Sequence, residues 1–334
     1  MKKIFFSTLI SLIFVLSIFA QTNDTPAQKT ALKELGELNA RVIALFKENN
    51  YDEALKVSLS AWNVAEKNNL AKDPRVLPGL SNLAEIYLAK KKETEAIATF
   101  QKVIEAYQSN GGDTDLPVVK ILERIGTIYF NKKDYDKSEE FFLKALPLRE
   151  KLNGAASRET GALNYALANV YRAKNNYDKA QQFYLKSIEI NDRVLSEKEK
   201  ESRDDVSAYE CFLYFKAFAE NNTKKAIDEI KKFDESRKTQ DSDDKTINVG
   251  LISGKATYLA KPSYPMNMRG NDGFMLVRVT IDEKGNVIAA KATCGIRGFV
   301  EAVEEAARKS KFSPTILGGQ PVKVTGFIVY NFIR

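Results

Sequence analysis

Residues 134–138 read Asp-Tyr-Asp-Lys-Ser, and near copies of this stretch recur along the chain at one fixed spacing. Each copy ends in a small residue, and consecutive end residues are 42 positions apart: Ala54, Ala96, Ser138 and Ala180. A second pattern keeps the same period, with a small residue followed three positions later by tyrosine: Ala84 and Tyr87, Gly126 and Tyr129, Ala168 and Tyr171. Small residues at these two places allow two helices to cross closely, so the repeat predicts an array of helix pairs.

These repeats resemble the tetratricopeptide repeat, in the 42-residue variety of kinesin light chains. The resemblance covers about residues 30–235 and includes a degenerate fifth copy around residues 222–226. It implies an all-α solenoid in which the first helix of each pair lines a concave face. The repeated tyrosines are predicted to lie in the core of this solenoid.

Relatives in this family hold extended or helical peptides on the concave face. The repeat alignment gives six predicted partner-binding residues there: Glu85, Glu123, Thr127, Tyr165, Asn169 and Arg172. The lysine-and-asparagine clamp that some relatives use for a terminal carboxylate is not reproduced in this sequence. The alternative is a rigid spacer whose concave face is merely solvated.

The chain turns polar after the repeats, from Asp234 to Thr246. This composition predicts a linker over residues 236–249, between the solenoid and a separate module at residues 250–334.

The last part of the chain shows a different periodicity. Met275, Val277, Val279 and Ile281 alternate with more polar residues, which is the pattern of a half-buried strand. A turn at residues 282–285 and a returning strand follow, then a helix at about residues 299–311 and a last strand at about 322–332. This order predicts a small α+β domain with a three-stranded antiparallel sheet and a helix on one face.

This region closely resembles the TonB C-terminal domain over about 75 residues. The motifs that carry the resemblance are Lys261-Pro262-Ser263-Tyr264-Pro265, Gly273, Asp282-Glu283-Lys284-Gly285-Asn286, Phe312-Ser313-Pro314 and Gly319-Gln320-Pro321-Val322. In that family the C-terminal strand receives a short partner peptide as an added strand. The resemblance therefore implies a module that binds a protein partner through its sheet.

The last strand has no charge and no proline between Val324 and Ile333, whereas natural sheet edges are normally protected by such residues. We therefore expect an open edge that accepts a partner strand. The predicted contacts are Tyr264 and Pro265 at the entry and, along the strand, Val324, Gly326, Phe327, Ile328, Val329, Tyr330 and Phe332. The alternative is a terminal strand that is covered by the rest of the protein or by self-association.

The N-terminus predicts export. Met1-Lys2-Lys3 is followed by an apolar run from Ile4 to Ala20, which is typical of a signal peptide with cleavage after Ala20. An uncleaved anchor is the alternative, and it would be the one membrane contact of the protein. Both the cleaved signal peptide and the uncleaved anchor place the remaining chain outside the cytoplasm, in the periplasm.

The composition argues against catalysis. The sequence has no histidine, which excludes Ser-His-Asp and Cys-His systems and nearly every zinc site. It contains no phosphate loop or paired acid and base, so we expect no cofactor, no bound metal and no nucleic-acid partner. Cys211 and Cys294 are predicted to be buried thiols, with a disulfide as the alternative.

These patterns together predict a non-enzymatic periplasmic adaptor whose concave face and TonB-like strand each bind a protein, with outer-membrane transporters among the candidate partners. The alternative is a TonB-type energy-transducing component of transport, anchored by its N-terminus. Such transducers carry a serine-and-histidine signature in the anchor and a proline-rich spacer. This chain lacks histidine, and no proline lies between Pro147 and Pro262.

Overall fold

The structure is a computed structural model of the 334-residue chain, and it describes residues 24–112, 116–196, 204–219, 223–236, 246–252, 255–265 and 273–332. The predicted signal segment, residues 1–20, lies outside the described residues. The chain divides into two compact units, residues 1–118 and 119–334. The segment predicted as a linker, residues 236–249, therefore lies within the second unit.

Residues 24–112 of the first unit form four helices in two antiparallel pairs. They are α1 (Pro26–Lys47), α2 (Tyr51–Lys67), α3 (Leu77–Ala89) and α4 (Glu93–Ser109). The side chains of Thr25 and Gln28 bond reciprocally to each other's backbone N–H at the start of α1. Such a capping box satisfies two of the amide groups that have no partner within the helix.

Within the described residues from 116 to 236, six further helices follow. They are α5 (Leu116–Asn131), α6 (Tyr135–Asn153), α7 (Arg158–Ala173), α8 (Tyr177–Val194), α9 (Asp204–Ala219) and α10 (Thr223–Ser236). The prediction of a helical solenoid is confirmed by these helix pairs.

The turns within the helix pairs repeat as the sequence does. Four of the five described non-glycine residues with positive φ stand 42 positions apart: Asn49, Lys91, Lys133 and Asn175. The next residue caps the second helix in three of the turns, because its side chain accepts the backbone N–H three positions on: Asn50, Asp134 and Asn176. Asparagine tolerates the left-handed region at the first position, which lysine takes in two of the turns, and asparagine and aspartate cap helices well at the second.

The helix crossings depend on the small residues of the repeat. A Cβ placed on Gly126 of α5 would lie 2.7 Å from the ring of Phe142 in α6. The buried Ser138 hydroxyl donates to the Gly126 carbonyl at 2.8 Å, which joins the two backbones at the same point. Because of these contacts, α5 and α6 approach each other more closely than larger side chains would allow.

The repeated tyrosines pack as predicted, against aromatic residues of the second helix. Tyr129 stacks on Phe141 with ring centroids 5.6 Å apart, and Tyr171 stacks on Phe183 at 5.3 Å. The ammonium groups of Lys137 and Lys179 lie over the two tyrosine rings at 5.1 and 4.8 Å. The same three-residue arrangement thus occurs in consecutive repeats.

The described part of the C-terminal region contains eight strands and one α-helix. The strands are β1 (Ile247–Leu251), β2 (Ala256–Tyr258), β3 (Gly273–Ile281), β4 (Val287–Gly295), β5 (Lys311–Phe312), β6 (Thr315–Leu317), β7 (Gln320–Val322) and β8 (Val324–Phe332), and the helix is α11 (Val300–Lys309). The main sheet has the order β1-β8-β3-β4. The predicted sheet with a helix is confirmed, but it has a fourth strand, β1, which pairs parallel to β8.

One face of this sheet packs against α11. Its apolar core includes Met275, Val277 and Val279 of β3 and Ile328 and Tyr330 of β8. Phe299, Val303 and Ala307 cover these residues from the side of α11. The predicted alternation of β3 therefore places its apolar residues towards α11.

The other face of the sheet packs against α9, which the sequence did not reveal. Tyr214 and Phe215 of α9 contact the ring of Phe274, with centroids 4.6 and 5.1 Å away. Cys211 of α9 and Cys294 of β4 form a disulfide, with Cα atoms 4.9 Å apart. The prediction of two buried thiols was wrong because α9 brings Cys211 to the sheet, a contact between residues 83 positions apart.

Candidate functional site

The strand predicted to accept a partner lies between two other strands of the same chain. All nine residues of β8 pair with β3. On the opposite side, Val324, Thr325 and Phe327 pair with β1, and the Ile252 N–H donates to the Phe327 carbonyl at 2.9 Å. The first half of β8 is therefore not the open edge that we expected. The chain itself supplies the added strand, because residues within the predicted linker turn back onto β8.

The side chains of β8 are largely buried on both faces of the sheet. Val324, Ile328, Tyr330 and Phe332 belong to the core beneath α11. Phe327 is fully buried on the face of α9, and the Arg278 guanidinium lies 4.8 Å from the centroid of its ring. A partner of β8 would therefore meet its backbone rather than its side chains.

The Arg278 side chain also joins the sheet to α9. It forms an ion pair with Glu210, whose carboxylate is almost completely buried. Removing the Arg278 charge would take this ion pair from a buried carboxylate, which is costly in a low-dielectric interior. This ion pair and the disulfide therefore hold the sheet on the last helix pair of the solenoid.

The predicted entry residue Tyr264 packs at the far end of β8. Its ring makes edge contacts with Phe299 and Phe332, with centroids 5.2 and 5.7 Å away. Phe299 and Phe332 stack on each other at 4.0 Å. Tyr264 remains 39% exposed, so it combines a structural contact with a surface that a partner can reach. Pro265 follows it at the end of a described stretch.

The strand at the other edge of the sheet, β4, is closed by side chains of α11. The Ala292 N–H donates to the Glu304 carboxylate at 3.0 Å, and Arg308 donates to the Ala290 carbonyl at 3.3 Å. Glu304 and Arg308 also pair with each other. Charged groups bound to outward-facing backbone atoms are one way in which proteins block strand addition.

Five of the six residues that were predicted to line the concave face lie in the second unit. Glu123 accepts two hydrogen bonds from Arg149 of α6, from Nε at 2.9 Å and Nη2 at 2.6 Å. Arg149 is only 3% exposed, so Glu123 serves the packing of α5 on α6. Thr127 is exposed, and its hydroxyl donates to the Glu123 carbonyl. The sixth residue, Glu85, is half-buried on α3 in the first unit.

The remaining three concave-face residues form one cluster on α7. The Tyr184 hydroxyl of α8 donates to Asn169 Oδ1 at 2.9 Å, and Asn169 Nδ2 donates to the Tyr165 carbonyl. Tyr165 and Tyr184 make an edge contact with centroids 5.9 Å apart. The Nε atom of Arg172 is buried and has no hydrogen-bond partner within the described structure. The Arg172 charge lies next to the Tyr184 hydroxyl within this cluster.

Burial raises the pKa of Tyr184 to about 12 and has the same effect on Tyr209 of α9. The nearby Arg172 charge opposes the shift at Tyr184, because it favours the tyrosinate form. Both hydroxyl groups therefore keep their protons, and act as hydrogen-bonding groups, throughout the neutral range.

The described residues include no group of three or more Asp, Glu or Cys side chains that could hold a metal ion. None of the described helices is long and apolar enough to cross a membrane.

The fold agrees with the families that the sequence matches. The family model described as Tetratricopeptide repeat matches residues 78–110 and 118–193. The model described as Gram-negative bacterial TonB protein C-terminal matches residues 260–333. The chain thus carries tetratricopeptide repeats followed by a TonB C-terminal region, both of which are interaction modules without enzymatic activity.

Solved structures support the solenoid assignment. A kinesin light chain protein from Podosopora anserina with nearly identical TPR-like repeats has a TM-score of 0.50 and 12% identity, over 62% of this chain and 99% of that one. A single-substitution variant of that protein has the same score and identity, over 61% and 96%. At this identity the likeness shows the fold alone. No curated protein matches this chain in sequence.

Proposed function

We propose that this protein is a non-enzymatic adaptor of the periplasm, in which the solenoid and the TonB-like sheet each bind a protein partner. Both families act in protein–protein interaction. The single observation that carries the proposal is that these two modules occur in one chain and are held together by the Cys211–Cys294 disulfide. A disulfide also suits a compartment outside the cytoplasm, where thiols become oxidised.

On the solenoid, the proposed contact surface is the cluster of Tyr165, Asn169 and Arg172. The Arg172 guanidinium supplies a positive charge beside Tyr184, which supports the binding of a carbonyl or carboxylate group from a peptide. The Glu123 carboxylate is excluded from this surface because Arg149 already binds both of its oxygens. On the sheet, the proposed contact surface is the exposed part of Tyr264 and the backbone of β8.

Site-specific crosslinking in cells tests the adaptor. A photoreactive amino acid at position 172 should capture one protein of the cell envelope, and the same group at position 264 should capture another. Leu185 of α8 is 40% exposed and lies outside both surfaces, so position 185 is the matched control. If neither position captures more protein than position 185, the adaptor function is wrong.

The start of the mature chain tests the proposed location. We expect the exported protein to begin at Gln21, as found by mass spectrometry of its N-terminal peptide. A protein that keeps residues 1–20 would instead favour the anchored, TonB-type alternative, because force from the inner membrane requires an attachment to it.

A further inference from the structure

Residues 246–252, here called the resident strand, contain β1 and close one side of β8. The strand runs parallel to β8, and α10 packs against it. Its side chains alternate between buried and half-buried, and only Leu251 is exposed, at 42%. The resident strand thus fills a groove whose floor is β8 and whose wall is α10.

One side chain of the resident strand is its main anchor. Ile252 is almost completely buried in the core beneath α11. It lies over Gly326 of β8, where a Cβ would come within 2.9 Å of both the Ile252 side chain and the Gly250 carbonyl. Glycine at position 326 therefore leaves room for the resident strand, and any larger residue would displace it.

The resident strand is the least firmly paired strand of the main sheet. It is in register with β8 at three residues, whereas β3 pairs with β8 at nine. Its pairing shifts between Asn248 and Leu251, where Asn248 Oδ1 accepts the Gly250 N–H and Gly250 has a φ of 75°. Local opening of a protein starts at such weakly held segments.

Release of the resident strand would not detach the sheet from the solenoid. Cys211 and Cys294 lie on either side of the strand in the sequence, and their disulfide joins α9 directly to β4. The Arg278–Glu210 ion pair adds a second link that does not involve the resident strand. The groove on β8 can therefore open while its surroundings stay in place.

We propose that the resident strand is exchangeable, and that an external peptide binds this protein by replacing it on β8. The proposal rests on the proposed function and names the partner of its sheet. Thr325 and Phe327 supply the backbone groups for the incoming strand, since they are the residues of β8 that face β1. Hydrogen bonds between backbones supply the affinity in this mode of recognition.

The resident strand defines the chemistry of the peptide that replaces it. The peptide is extended and runs parallel to β8. It carries a small residue at the place of Gly250, where the backbones come closest, and a branched aliphatic residue at the place of Ile252, which packs on Gly326. The one position between them corresponds to Leu251, which is exposed, so it does not restrict the peptide.

Peptide binding to four versions of the purified full-length protein tests this exchange. The probe is a fluorescent synthetic peptide with the sequence of residues 244–253, and its anisotropy reports binding. Ile252→Ala weakens the anchor of the resident strand, so the probe should bind this variant about tenfold or more tightly than the parent protein. Leu251→Ala is the matched control, because its side chain is exposed, and it should bind as the parent does.

Gly326→Val in the Ile252→Ala background should abolish binding of the probe, because the new side chain occupies the groove. Equal affinity of the parent protein and the Ile252→Ala variant would overturn the proposal. A dimer of the Ile252→Ala variant on size exclusion, formed without probe, would also overturn it, since a second copy would then be the occupant.

Hydrogen exchange of the unmodified protein gives a test that requires no variant. The amides of Ile252 and Phe327, which face the groove, should exchange about tenfold or more faster than the amide of Ile328, which faces β3. Equal protection of the three amides would mean that the resident strand leaves only when the sheet unfolds, and would refute the exchange.

The two proposals can fail separately. Exchange of the probe without any crosslinked partner at positions 172 and 264 would refute the adaptor and leave the exchange standing. If position 172 captures a protein but the probe does not exchange with the resident strand, the proposed partner of the solenoid stands. The proposed exchange is then refuted.

Discussion

At the scale of single residues, the repeat depends on positions where only one kind of side chain fits. Gly126 is the clearest case, because its missing Cβ leaves the space that the Phe142 ring occupies. Glu123 differs from its predicted role as a partner-binding residue. It was predicted to face a partner, but the fork of Arg149 binds it within the repeat. A charged residue at a concave-face position can therefore belong to the packing of its own repeat.

Replacement of Gly126 by leucine should overpack the crossing of α5 and α6 and lower the free energy of unfolding by about 1–3 kcal/mol. Chemical denaturation followed by circular dichroism measures this change. Gly36→Ala is the control, because nothing lies within 4 Å of a Cβ at that helical position. The control should be neutral or slightly stabilising, since alanine favours a helix over glycine. Unchanged stability of Gly126→Leu would contradict the close crossing.

The buried tyrosines predict a loss of stability at alkaline pH. Burial raises the pKa values of Tyr184 and Tyr209 from 10.0 to about 12 in the folded protein. Between these values the unfolded chain has lost protons that the folded chain still holds, so the free energy of unfolding falls as the pH rises. The Tyr184→Phe variant should lose less stability over this range, as measured by urea unfolding at a series of pH values. An equally steep decline in both proteins would contradict the burial effect at Tyr184.

At the scale of secondary-structure elements, the two sides of β8 differ in what they support. The sequence left open which residues of β8 face outward. The bond from Ile252 to the Phe327 carbonyl shows that Thr325 and Phe327 face β1, and that Gly326 and Ile328 therefore face β3. On one side β8 pairs in parallel with the short strand β1. On the other side it pairs with β3 along all nine of its residues.

Proline substitutions should separate these two sides. Thr325→Pro removes an N–H that faces β1, and we expect a loss of about 0.5–1.5 kcal/mol with the sheet retained. Ile328→Pro disrupts the ladder with β3 and removes a core side chain, so we expect a loss of about 3 kcal/mol or more. Denaturant unfolding of the full-length variants distinguishes the two cases. Similar losses in both variants would mean that the pairing with β1 matters as much as that with β3.

At the scale of the whole molecule, the C-terminal sheet is a three-layer arrangement rather than an isolated small domain. It is covered by α11 on one face and by α9 on the other. The polar stretch at residues 237–245 lies outside the described residues, and its role as a linker stays a prediction. The contacts of α9 with the sheet mean that this stretch does not by itself separate the solenoid from the TonB-like region.

Limited proteolysis with and without reductant tests this attachment. Cleavage within residues 236–246 should leave two fragments that migrate together on a non-reducing gel, because Cys211 and Cys294 lie on opposite sides of the cut. Reduction should separate them, and the Cys294→Ser variant should give separate fragments without reductant. Two free fragments from the unmodified protein without reductant would rule out the disulfide.

The same disulfide should contribute to stability, typically by about 2–4 kcal/mol.

Local patterns in the sequence were sufficient for the helix pairs and for the strands β3, β4 and β8. Each of these depends on neighbours within a few residues or on a repeat visible in the chain. Three features were decided only by the tertiary structure: the pairing of β1 with β8, the Cys211–Cys294 disulfide and the fork between Glu123 and Arg149. Residues 247–251 form a strand of only five residues, and its partner lies more than 70 positions away. Contacts between such distant residues leave no periodic signal, because they arise only when the helices and strands have packed together.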